Sequence, residues 1–332
     1  MNKKNPLIIL FCAVCLFTAM AADTGAKVFL LAGQSNMVGV GNIMDLPEAL
    51  KAEQPQVKIY TAGTNQYGWS TLKPGTGAST GSFGCEVTFG RDIARAFPGE
   101  TIYLIKVAWS GTSLAYDWRP PSAGGTPGRL YTEFVSEVRK ALNTLPGGYQ
   151  PRIMGMCWMQ GESDASNIYP ASEYETNLTC FINDVRAEFN VPHLPFVIAL
   201  IDKTPVWQEY EVVRQAQQKV AQTLPDIGIF DTDPFPSDGS HYYSGGLLLM
   251  GEAFASTLLT LLDNTQPGNL TGDVNGDGQI TIVDALQVAQ YYVGLTPPGF
   301  MAANADVNRD GAITIVDALK IARYYVGLIS GF

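Results

Sequence analysis

Ser35 stands three residues beyond the run Val28-Phe29-Leu30-Leu31-Ala32, in the segment Gly33-Gln34-Ser35-Asn36-Met37. Five apolar residues without alternation read as a strand covered on both faces, the habit of parallel sheets in α/β proteins. Gly33 frees the backbone to turn, so the hydroxyl is expected at the carboxyl end of that strand, where open α/β sheets bind ligands. A serine hydroxyl is a weak nucleophile at neutral pH and needs a base, a group that orients the base, and donors for a developing oxyanion. Of the two histidines, His241 lies in Ser237-Asp238-Gly239-Ser240-His241-Tyr242. Asp238, three residues ahead, can be brought to one ring nitrogen while the other faces the serine. His193, in Val191-Pro192-His193-Leu194-Pro195, reads as a loop residue without a nearby partner.

Bringing Ser35 to His241 requires a scaffold, and residues 27–262 supply its pattern by alternating apolar runs with helical periodicity. Such alternation signals crossover units and a parallel sheet. Strands are expected at Val28–Ala32, Thr101–Ala108, Arg152–Trp158, Phe196–Ile201 and Ile227–Asp231, and helices at Glu86–Phe97, Arg129–Leu142, Ser172–Phe189, Glu209–Thr223 and Ser244–Leu262. One rim then collects Ser35, the loop Ala108-Trp109-Ser110-Gly111-Thr112-Ser113 and the loop Gln160-Gly161-Glu162-Ser163-Asp164. A glycine after a buried strand can offer its N–H to an incoming oxygen, although strand-end glycines are commonly plain turn residues. Trp69, Trp109 and Trp118 are either a platform for a sugar ring or core, and Met154, Met156 and Cys157 read as core.

Three segments in order, Gly33-Gln34-Ser35-Asn36-Met37, Trp158-Met159-Gln160-Gly161-Glu162-Ser163-Asp164 and Asp238-Gly239-Ser240-His241, resemble the SGNH hydrolase superfamily. More narrowly they resemble its sialate O-acetylesterase-like branch, which includes acetylxylan esterases of carbohydrate esterase family six. The resemblance implies an α/β fold of the flavodoxin-like three-layer α/β/α kind and a carbohydrate O-acetylesterase. It makes Ser35 the nucleophile, His241 the base and Asp238 its orienting acid, with the N–H groups of Ser35 and Gly111 and the amide of Gln160 as oxyanion donors. Gln160 replaces the asparagine of the Gly-x-Asn-Asp pattern of better-known members. Satisfying loop backbone groups is the competing role for Gln160 and Glu162, and a carboxylate at Glu162 would repel an oxyanion. Should Asp238 not orient the base, Asp164, Glu162 and Asp231 are the other acids to consider.

Residues 1–22 read as a secretory signal: Lys3 and Lys4, an apolar run from Pro6 to Phe17, then Ala19-Met20-Ala21. Anchoring through Cys12 or Cys15 is the rival reading, without a convincing lipidation context. No later segment is expected to approach the roughly 20 apolar residues of a membrane span. Removing the leader takes two lysines and no acid, moving the formal charge from −10 to −12 (19 basic against 31 acidic residues). That acidity argues against nucleic acid and against an anionic membrane surface as partners. Cys85, Cys157 and Cys180 remain; one disulfide is open to them, and no spacing suggests zinc.

After a linker at 265–270, residues 271–332 are organised by a repeat: Asp273-Val274-Asn275-Gly276-Asp277-Gly278-Gln279-Ile280-Thr281-Ile282-Val283-Asp284 recurs 33 residues later from Asp306 to Asp317. Oxygen donors at positions one, three, five and twelve with glycine at six form a calcium loop. The candidate ligands are Asp273, Asn275, Asp277, Gln279 and Asp284, and in the second repeat Asp306, Asn308, Asp310, Ala312 and Asp317, with Gln279 and Ala312 at the backbone-carbonyl position. Helices are expected at Asp284–Val293 and Asp317–Val326, with none of comparable length before either loop. This duplicated loop and single helix resembles a type I dockerin, which implies two structural calcium ions and docking to a cohesin domain of a cellulosome scaffold. Ile282-Val283 and Ile315-Val316 stand at loop positions ten and eleven, where members often carry Ser-Thr, and suggest an apolar contact surface. The expectation is a secreted esterase acting on acetylated polysaccharide, most simply acetylated xylan. A sialate esterase and a non-catalytic carbohydrate-binding component are the alternatives.

Overall fold

The computed structural model describes residues 25–264, 270–329 and 331–332. The leader read at 1–22, and the linker apart from residue 270, lie outside them. In chain order the elements are β1 (Ala26–Gly33), α1 (Ser35–Val38), β2 (Gly41–Asn42), α2 (Glu48–Lys51), β3 (Gln54–Ala62), β4 (Gly68–Leu72), β5 (Ser82–Phe83), α3 (Glu86–Ala96), β6 (Ile102–Ala108), α4 (Arg129–Asn143), β7 (Pro151–Met159), α5 (Ile168–Glu188), β8 (Phe196–Ala199), α6 (Tyr210–Thr223), β9 (Ile227–Phe230), α7 (Ser244–Asn264), α8 (Ile282–Tyr292) and α9 (Ile315–Tyr325).

Every residue of β1 is buried, as an unbroken apolar run demands, and β1 lies in the middle of the sheet β4-β3-β6-β1-β7-β8-β9. All neighbours run parallel except β3 and β4. The chain passes from β6 to β7 across β1, so its winding changes side there and opens a crevice at the carboxyl ends. Gly33 stands level with Ala108 on one side and Met159 on the other, which sets the loops after β1, β6 and β7 side by side. Helices α3 and α7 pack together on one face; α5 pairs with α6 on the other, where α4 also packs. Phe134 of α4, Phe181 of α5, Trp158 of β7 and Trp118 form an aromatic cluster with ring centroids 4.5–6.3 Å apart. Trp118 is fully buried here, so it is core and not a sugar platform.

Several expectations shift. β3 and β4 add two strands to those expected, because Gln54-Pro55-Gln56 opens β3 with polar residues and a proline, which suit an exposed start near the sheet edge. α5 starts four residues before Ser172: the Asn167 side chain accepts from Tyr169 N at 3.0 Å, and Pro170 sits in the first turn, where its missing N–H costs nothing. His193 does have a partner, since its Nδ1 lies 3.0 Å from Asp226 Oδ2. Cys85, Cys157 and Cys180 are all free thiols. Ser244–Asp263 is long and apolar enough by length and composition to cross a membrane, contrary to expectation. Its Leu247, Met250, Phe254 and Leu258 are buried in the core of the α/β unit.

The repeat segment has its own small core of Val274, Ala285, Val288, Ala305, Val307, Ala318 and Ile321, where α8 packs on α9. Both helices begin two residues earlier than expected. Thr281 and Thr314 are N-caps in reciprocal capping boxes with Asp284 and Asp317, which puts Ile282-Val283 and Ile315-Val316 in the first helical turn.

Candidate active site

The turn after β1 is fixed by backbone crowding. Gly33 has φ +150°, and a Cβ there would lie 1.9 Å from the Met159 carbonyl oxygen. Gln34 N donates to that same carbonyl at 3.0 Å, and Trp109 N donates to Gly33 O at 3.2 Å. Ser35 is then the first residue of a one-turn helix and is only 7% exposed. Among the described residues the amides of Ser35, Asn36 and Gly111 donate to no backbone or side-chain acceptor. For the first two this is the ordinary condition of a helix start.

His241 arrives on the hairpin-like loop between β9 and α7, closed by a bridge between Ser237 and Tyr242. Its Nε2 lies 3.1 Å from Ser35 Oγ, across 206 positions of sequence. Asp238 does not meet the ring through a hydrogen bond: its Oδ1 accepts from His241 N at 2.7 Å and Ser240 N at 2.8 Å. Those two amides, and the nearby imidazole after them, hold its carboxyl below the usual range. It therefore shapes the loop that carries His241, and among the described residues the ring Nδ1 forms no hydrogen bond. Ser237 braces the loop by donating to Asp202 and accepting from Gly239 N at 3.1 Å.

Asn36, to which the sequence alone assigns no role, joins the Ser35 turn to the His241 loop. Its Nδ2 donates to Ser240 O at 3.2 Å and its Oδ1 accepts from Tyr242 N at 3.2 Å, the residues on either side of His241. The same Nδ2 donates to Glu162 Oε1 at 2.6 Å, while Glu162 Oε2 is buried without a partner among the described residues. Burial pushes Glu162 up to about 7 despite the Asn36 bond. Asp164 is raised by burial to about 6, against the bonds it accepts from Gln160 Nε2 (2.7 Å), Leu114 N (2.7 Å) and Ala115 N (2.9 Å). Two polar residues just past a buried strand are the signal that the sequence offers for this cluster.

Gln160 is buried at the floor. Its Nε2 lies within reach of Asp164 Oδ2, Thr112 O (3.0 Å) and Gln34 Oε1 (3.2 Å), three acceptors for two protons. In this conformation its amide binds the three loops together instead of facing Ser35 as a free donor. Gly111, at φ +67°, is exposed at the rim of the second loop, while Trp69 and Trp109 are half-buried against the core.

In the repeats, the carboxylates fold onto their own loops. Asp273 accepts from Gly276 N and Gly278 N, both at 2.8 Å, and Asp284 from Val274 N at 2.9 Å and Thr281 N at 2.8 Å. Asp306 and Asp317 repeat the pattern with Gly311 N at 2.9 Å and Thr314 N at 2.8 Å. Among the described residues no three histidine, cysteine or acidic side chains form a ready metal cluster, yet Asp273, Asp284 and Asp317 are fully buried and in no ion pair. Buried carboxylates in no ion pair, at the spacing of a calcium loop, fit a calcium ion.

A probable carbohydrate esterase of Arabidopsis thaliana is 25% identical over 252 residues, covering 70% of this chain and 90% of that protein. A solved Arabidopsis thaliana structure superposes with a TM-score of 0.59 at 20% identity, over 71% of this chain and 98% of that one. A carbohydrate acetylesterase from Xanthomonas citri gives 0.55 at 18% identity over 73% and 58%, and NanS 0.55 at 19% over 71% and 97%. These structures share the fold. The family described as carbohydrate esterase, sialic acid-specific acetylesterase matches residues 25–260 and the type I dockerin domain matches 271–325, so the chain belongs to that family of carbohydrate acetylesterases and carries a type I dockerin after it.

Proposed function

We propose that the chain removes acetyl groups from plant polysaccharide, acetylated xylan first, by a serine mechanism. The observation that carries this reading is the 3.1 Å contact of Ser35 Oγ with His241 Nε2 at the carboxyl ends of the central strands. Ser35 attacks the acetyl carbonyl as His241 takes its proton; the sugar oxygen leaves with that proton, and water, deprotonated by the same ring, releases acetate. The free N–H groups of Ser35 and Gly111 suit the oxyanion, and Gln160 joins them only by exchanging one of its present acceptors. Asp238 stabilises the imidazolium through its charge and through the loop it shapes; direct contact with the ring needs a tighter geometry than the free protein has.

Dockerin domains are generally calcium-binding, and in this reading two ions hold the repeats by Asp273, Asn275, Asp277 and Asp284 and by Asp306, Asn308, Asp310 and Asp317, with the backbone carbonyls of Gln279 and Ala312. The ions neutralise the buried carboxylates and supply folding free energy to a module with a small core. A cohesin is the partner this implies, met by Ile282 and Val283 or by Ile315 and Val316, which are 48–50% exposed in both repeats. That setting favours plant cell-wall polysaccharide and an extracellular, cellulosome-bound enzyme, with a leader at 1–22, a linker at 265–270 and modules at 23–264 and 271–332. Acetate release on acetylated xylan beside O-acetylated sialic acid tests the substrate: faster release from xylan is expected, and preference for the sialic acid overturns it.

A further inference from the structure

Behind the Ser35 turn lies an ion pair that the ester chemistry does not touch. Lys106 on β6 and Glu86 at the start of α3 are both fully buried, with Nζ and Oε2 2.7 Å apart. Lys106 Nζ also donates to Val38 O, the last carbonyl of α1, at 2.8 Å. Glu86 Oε1 accepts from Gly84 N at 2.9 Å and Thr76 Oγ1 at 2.7 Å. The turn itself closes through Gly39 N, which donates to Ser35 O at 2.9 Å, and Gly39 O accepts from Ala78 N at 2.9 Å. Two glycines clear the space. A Cβ on Gly39 would fall 2.4 Å from the Gly84 backbone, and one on Gly84 would fall 2.6 Å from Glu86 Oε2 and 3.1 Å from Lys106 Nζ. The pair thus ties α1, the 76–84 segment, α3 and β6 into one unit.

Stability does not explain such a pair. Burying two charges costs several kcal/mol per ion, and a well-packed apolar pair is often at least as stable. An apolar pair cannot, however, donate to the Val38 carbonyl, which a one-turn helix leaves without an internal partner.

We infer that Lys106 and Glu86 are positioning residues for Ser35, holding its one-turn helix from the carboxyl end so that the hydroxyl stays within reach of His241. The inference rests on Ser35 as nucleophile. The double variant Lys106→Met with Glu86→Gln removes both charges while the new amide oxygen still accepts from Gly84 N and Thr76; Thr76→Val keeps the charges and removes one hydrogen bond. Hydrolysis of 4-nitrophenyl acetate by the full chain, with thermal melting alongside, should show the double variant folded, its kcat down about tenfold or more and its KM within about twofold of the parent. Thr76→Val should lose about two- to threefold in kcat alone. A folded double variant with the parent's kcat, or a loss confined to KM, overturns the inference; should the double variant not fold, an unchanged kcat in Thr76→Val overturns it. Ser35→Ala is run beside them. Activity in that variant refutes the nucleophile, and the inference with it, whereas an inactive Ser35→Ala beside an active double variant refutes the positioning role alone.

Discussion

Ser35 meets His241 across 206 positions and Asn36 meets Glu162 across 126, whereas the carboxylates of Asp273 and Asp284 reach no further than ten residues along the chain. The esterase site therefore exists only when the sheet, its crossover helices and the loop before α7 are all in place. Each dockerin loop closes within its own dozen residues, its carboxylates folded onto its own backbone amides. One site is made by topology and the other by local sequence, which we propose calcium completes, so the two should fail under different treatments.

The largest separation should come from His241→Ala, which removes the base and leaves binding and oxyanion donors: kcat should fall about a thousandfold or more with the melting curve unchanged. Calcium chelation should do the reverse. Far-ultraviolet ellipticity from α8 and α9 and binding to a cohesin should be lost, while hydrolysis of a soluble acetyl ester persists; parallel loss of activity would break the contrast. Asn36→Ala should cost about ten- to a hundredfold in kcat, because it unlinks the histidine loop from the nucleophile turn without touching either reacting group. Equal kcat in a folded Asn36→Ala protein would show that the loop is held elsewhere.

A smaller effect distinguishes the buried acids. Glu162 titrates at about 7 and Asp164 at about 6 in the folded protein, above the unfolded values near 4. Between those limits the folded state holds protons that the unfolded chain has released, so their contribution to stability is full below about pH 4 and is lost as pH rises through about 7. Glu162→Gln should melt several degrees higher than the parent at about pH 8 and converge with it near pH 4; no difference at either pH contradicts the burial argument. Smallest of all, Ile282→Asp with Val283→Asp should barely weaken cohesin binding, since Ile315 and Val316 present an equivalent surface, and all four substitutions together should abolish it.

The contrast also explains what can be read from the residues alone. β1, β6 and β7 are legible because each is an apolar run, and the calcium loops because their ligands are neighbours in sequence. Ser35 and His241 are legible as types of residue in telling settings. Asn36 is not, since its role consists of bonds to residues 126 to 206 positions away, and Lys106 reads as one polar residue in a strand until Glu86 is folded against it. Asp238, whose spacing points to the imidazole, holds the loop amides instead, a choice made by local backbone geometry. The start of α5 is hidden because the Asn167 cap shows only in the folded backbone, where Pro170 is harmless in a first turn.

The central claim is that Ser35 carries the acetyl group. Acetate release from acetylated xylan by the parent and by Ser35→Ala, both folded by melting and both calcium-loaded, tests it most directly. The parent should release acetate steadily, and Ser35→Ala should fall to the rate of the buffer control. Sustained release by Ser35→Ala would contradict the account.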